Sequence, residues 1–117
     1  MIGILPTLLL LSPAGGENVH RTLRTPHYQV QITERCGEVV GCDDVLYESI
    51  STSGKTLRLR GKQIEHMCPG MKNTPCHPIG YEFRNGSFVY FVGEDGILTV
   101  KRGSKVLFEE TGTWIGE

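Results

Sequence analysis

The residues best equipped for chemistry sit in two clusters, His66-Met67-Cys68 and Cys76-His77, which combine thiol and imidazole. These are the side chains that bind zinc most readily. Their spacing is poor for it, because zinc knuckles pair ligands about two to four residues apart, and no metal or other cofactor is expected. Cysteine catalysis would need a thiol of lowered pKa beside a positioned base. His66 or His77 could supply the base, but an even cysteine set reads more simply as disulfides. No Gly-x-Ser-x-Gly elbow, phosphate-binding glycine loop or His-Glu-x-x-His helix is present. Acid pairs occur at Asp43-Asp44, Glu94-Asp95 and Glu109-Glu110. Adjacent residues of a strand point to opposite faces, so Glu109-Glu110 cannot form a cofacial pair by itself, and solvated turns are the preferred reading of the acid pairs. No catalytic residue is assigned, and a non-enzymatic role is expected.

The four cysteines are Cys36, Cys42, Cys68 and Cys76. Two disulfides fit a short exported chain, with three possible pairings. The local pairs, Cys36–Cys42 and Cys68–Cys76, each staple one loop and are preferred. The crossed pairings close longer loops and would stabilise more, so they stay open. Export is read from the first 14 residues, which are uncharged and largely apolar. That run is too short for a membrane span of roughly 20 residues. Ser12 and Ala14 are small residues suited to a signal cleavage after Ala14. A periplasmic or secreted location follows, with no stable membrane span.

Lys and Arg total 12 against 13 Asp and Glu, a net charge of −1. A dedicated nucleic-acid binder carries a clear basic excess, so no nucleic-acid partner is expected. The charge is unevenly spread. Residues 55–84 hold six basic and two acidic groups. Arg58, Arg60 and Lys62 share one strand face by the two-residue period, and Asp43 and Asp44 lie by the first cysteine pair. These five are the candidate contacts for a protein partner, since a dipolar surface steers and orients a protein.

The elements that position these residues are strands. The chain has a single alanine, Ala14, and 15 glycines. A body without the best helix former and rich in turn residues points to an all-β domain. Tyr28, Val30 and Ile32 alternate with Gln29, Gln31 and Thr33, the pattern of a half-buried strand. Strands are also expected at 45–51, around Leu57 and Leu59, at 81–84, 87–92, 97–101 and 106–110, with a final edge strand at 113–115. Asn85-Gly86 is the strongest short-range hairpin signal, and that turn already explains the Asn-Gly-Ser acceptor motif. Residues 67–78 read as a long irregular loop. The expected organisation is a signal segment at 1–14, a mobile leader at 15–26 and one β domain at 27–117. Seven to eight short strands form an antiparallel meander that closes into a barrel or a sandwich, which limits exposed edges.

The run Gly61-Lys62, Cys68, Cys76, Gly80-Tyr81-Glu82-Phe83, Asn85-Gly86, Tyr90, Gly96-Ile97-Leu98-Thr99-Val100 and Gly112-Thr113-Trp114 resembles small bacterial periplasmic immunity proteins. Among them it is similar, in strand pattern over residues 27–114, to the membrane-bound c-type lysozyme inhibitor family. The resemblance implies a small antiparallel barrel that occludes a hydrolase. The family's Ser-Gly loop ending in Tyr has no counterpart at Ser53-Gly54-Lys55, so no inhibitory residue is carried over. The function expected is that of an exported, disulfide-bonded inhibitor or immunity protein whose partner is a toxic envelope hydrolase. The alternative is a small-ligand or lipid-binding barrel, with Tyr81, Phe83, Phe88, Tyr90 and Phe91 around a cavity. Core packing explains the same aromatics.

Overall fold

The computed structural model describes residues 18–37, 41–67 and 75–116. Alternation organises all of it. Along β2 (Tyr28–Glu34), Tyr28, Val30, Ile32 and Glu34 turn inward, while Gln29 and Gln31 are exposed. The same rhythm runs through β3 (Val45–Ser51) and β4 (Thr56–Met67), where Leu57 and Leu59 are half-buried and Arg58 and Arg60 face water. The remaining strands are β1 (Val19–Arg24), β5 (Pro75–Asn85), β6 (Phe88–Gly93), β7 (Ile97–Arg102), β8 (Lys105–Thr111) and β9 (Thr113–Ile115).

Tight turns force sequential strands to lie antiparallel side by side. The order across the sheet is β8-β7-β6-β5-β4-β3-β2-β1-β9, with each neighbouring pair antiparallel. The two ends of that order are consecutive in sequence, with Gly112 alone between them. The last stretch of chain leaves β7 at Thr111 and joins β1 at Thr113, pairing Leu23 with Trp114 and Arg24 with Thr113. The fold is therefore all-β, an antiparallel meander rolled into a nearly closed barrel.

Gly112 is where the strand changes partners, and the crossing is crowded. A Cβ there would lie 2.4 Å from the carbonyl oxygen of Arg24 and 2.7 Å from the Thr25 methyl. Gly96 faces it, so that the Gly112 amide donates to the Gly96 carbonyl at 2.8 Å. Gly61 pairs with Phe83, and a Cβ there would lie 1.9 Å from the Glu82 carbonyl oxygen and 2.5 Å from the Phe83 ring. The core gathers Leu23, Val30, Ile32, Val45, Tyr47, Tyr81, Phe83, Val92 and Leu98, all essentially inaccessible to solvent.

Two sequence expectations need correction. Over Val19–Arg24 the leader expected at 15–26 is strand β1, paired with β2 along its length. Arg21 hid the alternation, because it occupies an inward position where an apolar residue is expected. Residues 1–17, with the expected signal segment, lie outside the described residues. Of the irregular loop expected at 67–78, Met67 belongs to β4 and residues 75–78 to β5, and residues 68–74 lie outside the described residues. Pro75 is the first residue of its strand, a tolerated place, and Pro78 pairs with Glu65 beside a register shift. The strand at 113–115 is the edge strand expected there: β9 ends the sheet order, with β1 as its neighbour.

Closing the barrel at a glycine makes a prediction. Gly112→Ala lowers unfolding stability by about 1–3 kcal/mol, the usual cost of overpacking. Urea denaturation measures it, and a midpoint equal to that of the parent protein contradicts the crowded crossing.

Candidate functional site: the open mouth of the barrel

The inward face of β3 changes character along its length. Val45 and Tyr47 are apolar or aromatic, and Ser49 and Ser51 follow at the same face. Ser49 is 8% exposed, while Ile50, on the outer face, is 46% exposed. Burying the serine and exposing the isoleucine reverses the usual assignment. A cavity of about 420 Å3 explains the reversal. Its walls are the rings of Tyr28, Tyr47, Tyr90 and Phe108, and Leu57, Leu98 and Val100 add aliphatic surface. Ser49, Ser51, Ser53, Thr56 and Lys55 supply its polar groups. The volume falls within the range of small-molecule sites, about 300–1,000 Å3.

The rings brace one another. Tyr28 and Phe108 meet edge to face at 5.5 Å between centroids. Tyr47 touches Phe83 at 5.2 Å and Tyr90 at 5.7 Å. Burial pushes the Tyr47 hydroxyl up to about 12, against the opposing pull of its hydrogen bond with Ser49. It stays a neutral phenol at physiological pH and can both donate and accept a hydrogen bond. The β3–β4 turn at the rim is tied by its backbone: the Ser51 amide donates to the Lys55 carbonyl at 2.8 Å, and the Lys55 amide donates to Ser51 Oγ at 3.0 Å.

The opposite ends of β2 and β4 are plugged. Tyr81 donates to Glu34 Oε2 at 2.5 Å, and the Arg21 guanidinium donates to Tyr81 at 2.8 Å and to Glu94 at 2.7 Å. The same guanidinium lies 3.9 Å from the Trp114 ring centre, and Trp114 Nε1 donates to the Glu94 carbonyl at 3.0 Å. Burial first, then the hydrogen bond to Glu34, raises the Tyr81 hydroxyl well above its ordinary value despite Arg21. The Cys36–Cys42 disulfide forms as preferred from the sequence. Its loop rests on β4, with the Gly41 amide on Gln63 Oε1 at 2.6 Å and the Gln63 amide on the Cys42 carbonyl at 2.7 Å. The second expected pair lies outside what is described, since Cys68 falls in residues 68–74 and nothing is described of the Cys76 side chain.

The five expected partner contacts converge on the outer side of β3 and β4. Asp43, Arg60 and Lys62 line one depression with Gly61, Glu82 and Arg84. Asp44 takes two hydrogen bonds from Arg35, at 3.0 and 3.2 Å, and lies 3.7 Å from Arg60. Arg58 pairs with Glu48 at 3.7 Å. Three of the five are thus engaged within the chain. His66 and His77 face each other across β4 and β5, with ring centres 5.2 Å apart. Among the described residues no group of three metal-ligating side chains assembles. Of the five aromatics considered for a cavity, only Tyr90 lines the mouth. Tyr81 and Phe83 are core, Phe88 stacks with Arg102, and Phe91 lines an outer depression. The sequence reading missed Tyr28, Tyr47, Ser49 and Phe108 as a set. The available signal was serine at two inward positions of β3.

Comparison with protein-family models, with curated proteins and with solved structures finds no match. Among the described residues no helix is long and apolar enough to cross a membrane.

One carboxylate secures the turn beside Tyr28. Glu110 on β8 accepts from Thr25 Oγ1 at 2.6 Å, from the His27 amide at 3.2 Å and from the His27 ring. Desolvation pushes its pKa upward, but these hydrogen bonds outweigh it and hold the carboxyl below 4.5. A depressed carboxylate pKa contributes stability that is complete above the unfolded value and is lost as pH falls through the folded one. Glu110→Gln is therefore less stable than the parent at pH 7, and the gap narrows as pH drops below about 4.5. Denaturation midpoints across pH 2–7 read this, and a gap that stays constant contradicts it.

Proposed function

We propose that this chain is an exported, disulfide-stapled binding protein whose open mouth holds a small ring-bearing molecule. The observation that carries the reading is the inverted end of β3, with Ser49 buried and Ile50 exposed over a ring-lined cavity. An eight- or nine-strand barrel has an interior just wide enough to be filled by side chains or to hold one small ligand. Here side chains fill one end and leave the other to solvent. Packing the rings against one another preorganises the walls, which reduces the entropy lost on binding. The hydroxyls of Ser49, Ser51 and Thr56 give orientation, and the rings and Leu98 give contact area.

A second reading keeps the expected inhibitor role. It is favoured by the convergence of Asp43, Asp44, Arg58, Arg60 and Lys62 on one outer surface. A hydrolase docking there would have to replace the existing ion pairs. Exposed pairs of this kind are each worth about 0–1 kcal/mol, so that exchange is inexpensive but also a weak anchor.

The two readings separate in one titration. Small aromatic molecules added to isotope-labelled protein should shift the amides of Tyr28, Tyr47, Ser49, Leu57, Tyr90 and Phe108. Ser51→Trp, which fills the mouth from its rim, should abolish those shifts while leaving the rest of the spectrum in place. Shifts confined to the outer side of β3 and β4, or none at all, contradict the cavity reading. In that case, loss of c-type lysozyme activity on adding the protein would support the inhibitor.

A further inference from the structure

Among the described residues lining the mouth, Lys55 is the only one with a charged side chain. It is exposed, and among the described residues no carboxylate pairs with it. In a meander, alternate turns fall at the same end of the barrel. The turns on the Lys55 end span 25–27, 52–55, 86–87 and 103–104, with Arg102 and Lys105 flanking the last. They contain no aspartate or glutamate. Among the described residues the one carboxylate hydrogen-bonded to any of them is Glu110, which is occupied by Thr25 and His27. The turns at the other end carry Asp43, Asp44, Glu94 and Asp95, of which Asp44 is paired with Arg35 and Glu94 with Arg21. The mouth end therefore presents Lys55 without an acidic side chain in its turns, which a net charge of −1 conceals. A concave site lined by one sign of charge attracts the opposite sign.

Resting on the ligand-binding reading above, we infer that the mouth selects an anion, a small aromatic carboxylate whose ring lies among Tyr28, Tyr47, Tyr90 and Phe108 and whose carboxylate meets Lys55. The geometry sets the order of groups. Rings and aliphatic side chains wall the cavity, and the cation and the hydroxyls of Ser51 and Ser53 stand at the rim. An aryl acid with a short linker matches that order with its charged end toward water. The Lys55 ammonium gives a charge-assisted hydrogen bond to a carboxylate, which a neutral alcohol cannot match. A ligand with its charge at the ring would place that charge against the walls, where no basic side chain waits.

The experiment compares two probes of equal length, 3-phenylpropanoate and 3-phenylpropan-1-ol, by calorimetric titration at low salt, backed by amide-shift titration for weak binding. The acid should bind at least about tenfold more tightly than the alcohol, as expected for one charge-assisted contact. Lys55→Met should remove that preference, weakening the acid far more than the alcohol. The variant keeps the turn, because the Lys55 backbone and not its side chain makes the hydrogen bonds to Ser51. Added salt should weaken the acid and spare the alcohol. Equal affinity for both probes, or a preference that survives Lys55→Met, overturns the anion inference while the ring-binding reading stands. No binding by either probe, at any salt, overturns both.

Discussion

The structure depends on one crossing, where the final strand passes from β7 to β1 at Gly112. The seven strands from β1 to β7 leave two open edges, and an open edge is a row of unpaired amides and carbonyls. Here both edges are satisfied by a single stretch of chain. β8 serves β7, and after one residue β9 serves β1. The crossing is possible because neither Gly112 nor Gly96 carries a side chain where the backbones meet. Closure then fixes which residues face each other across the interior. Tyr28 meets Phe108 and Leu23 lies near Gly96 only because the first and last strands are neighbours.

From closure follows a division of labour between the two ends. At one end a buried carboxylate, a phenol and a guanidinium satisfy one another beneath the Trp114 ring. Such clusters add little net stability, yet losing one member is costly, about 3–5 kcal/mol for a buried pair. The disulfide loop rests on β4 on this side as well. At the other end, among the described residues, no such plug fills the interior, and the same inward positions carry serines and ring faces. One strand, β2, spans both conditions, with Glu34 at the plug and Tyr28 at the cavity. The polar groups of the plug are satisfied within the chain. Those of the mouth include serine hydroxyls and a lysine that can still meet a ligand.

Much of this fold is legible in residue order. The alternation at Tyr28–Glu34, the leucines among arginines in β4, and the Asn-Gly turn before β6 all place strands where they occur. The Cys36–Cys42 bridge is the local pairing preferred from the sequence, although spacing alone leaves the crossed pairings open. Strand β1 was not legible, because propensity treats Arg21 as a surface residue, and only tertiary partners explain its inward position. Closure was hidden for a related reason. Pairing of Leu23 with Trp114 joins residues at opposite ends of the sequence, and no local signal encodes that. The charged residues on β4 were placed on one face correctly, but their partners Glu48 and Asp44 come from β3 and the loop before it. The mouth was missed because serine in a strand reads as a wet outer face. Only the opposite exposure of its neighbour Ile50 shows that the serine is inside.

Closure of the barrel is also the claim most open to direct measurement. In solution, nuclear Overhauser contacts should join β9 to β1 at Leu23–Trp114 and Arg24–Thr113, and the bonded amides of those strands should exchange slowly with solvent. Finding them establishes the geometry on which the cavity and its ring walls depend. A spectrum in which residues 113–115 lack contacts to β1 and their amides exchange freely would mean an open sheet, and it would contradict the account at its base.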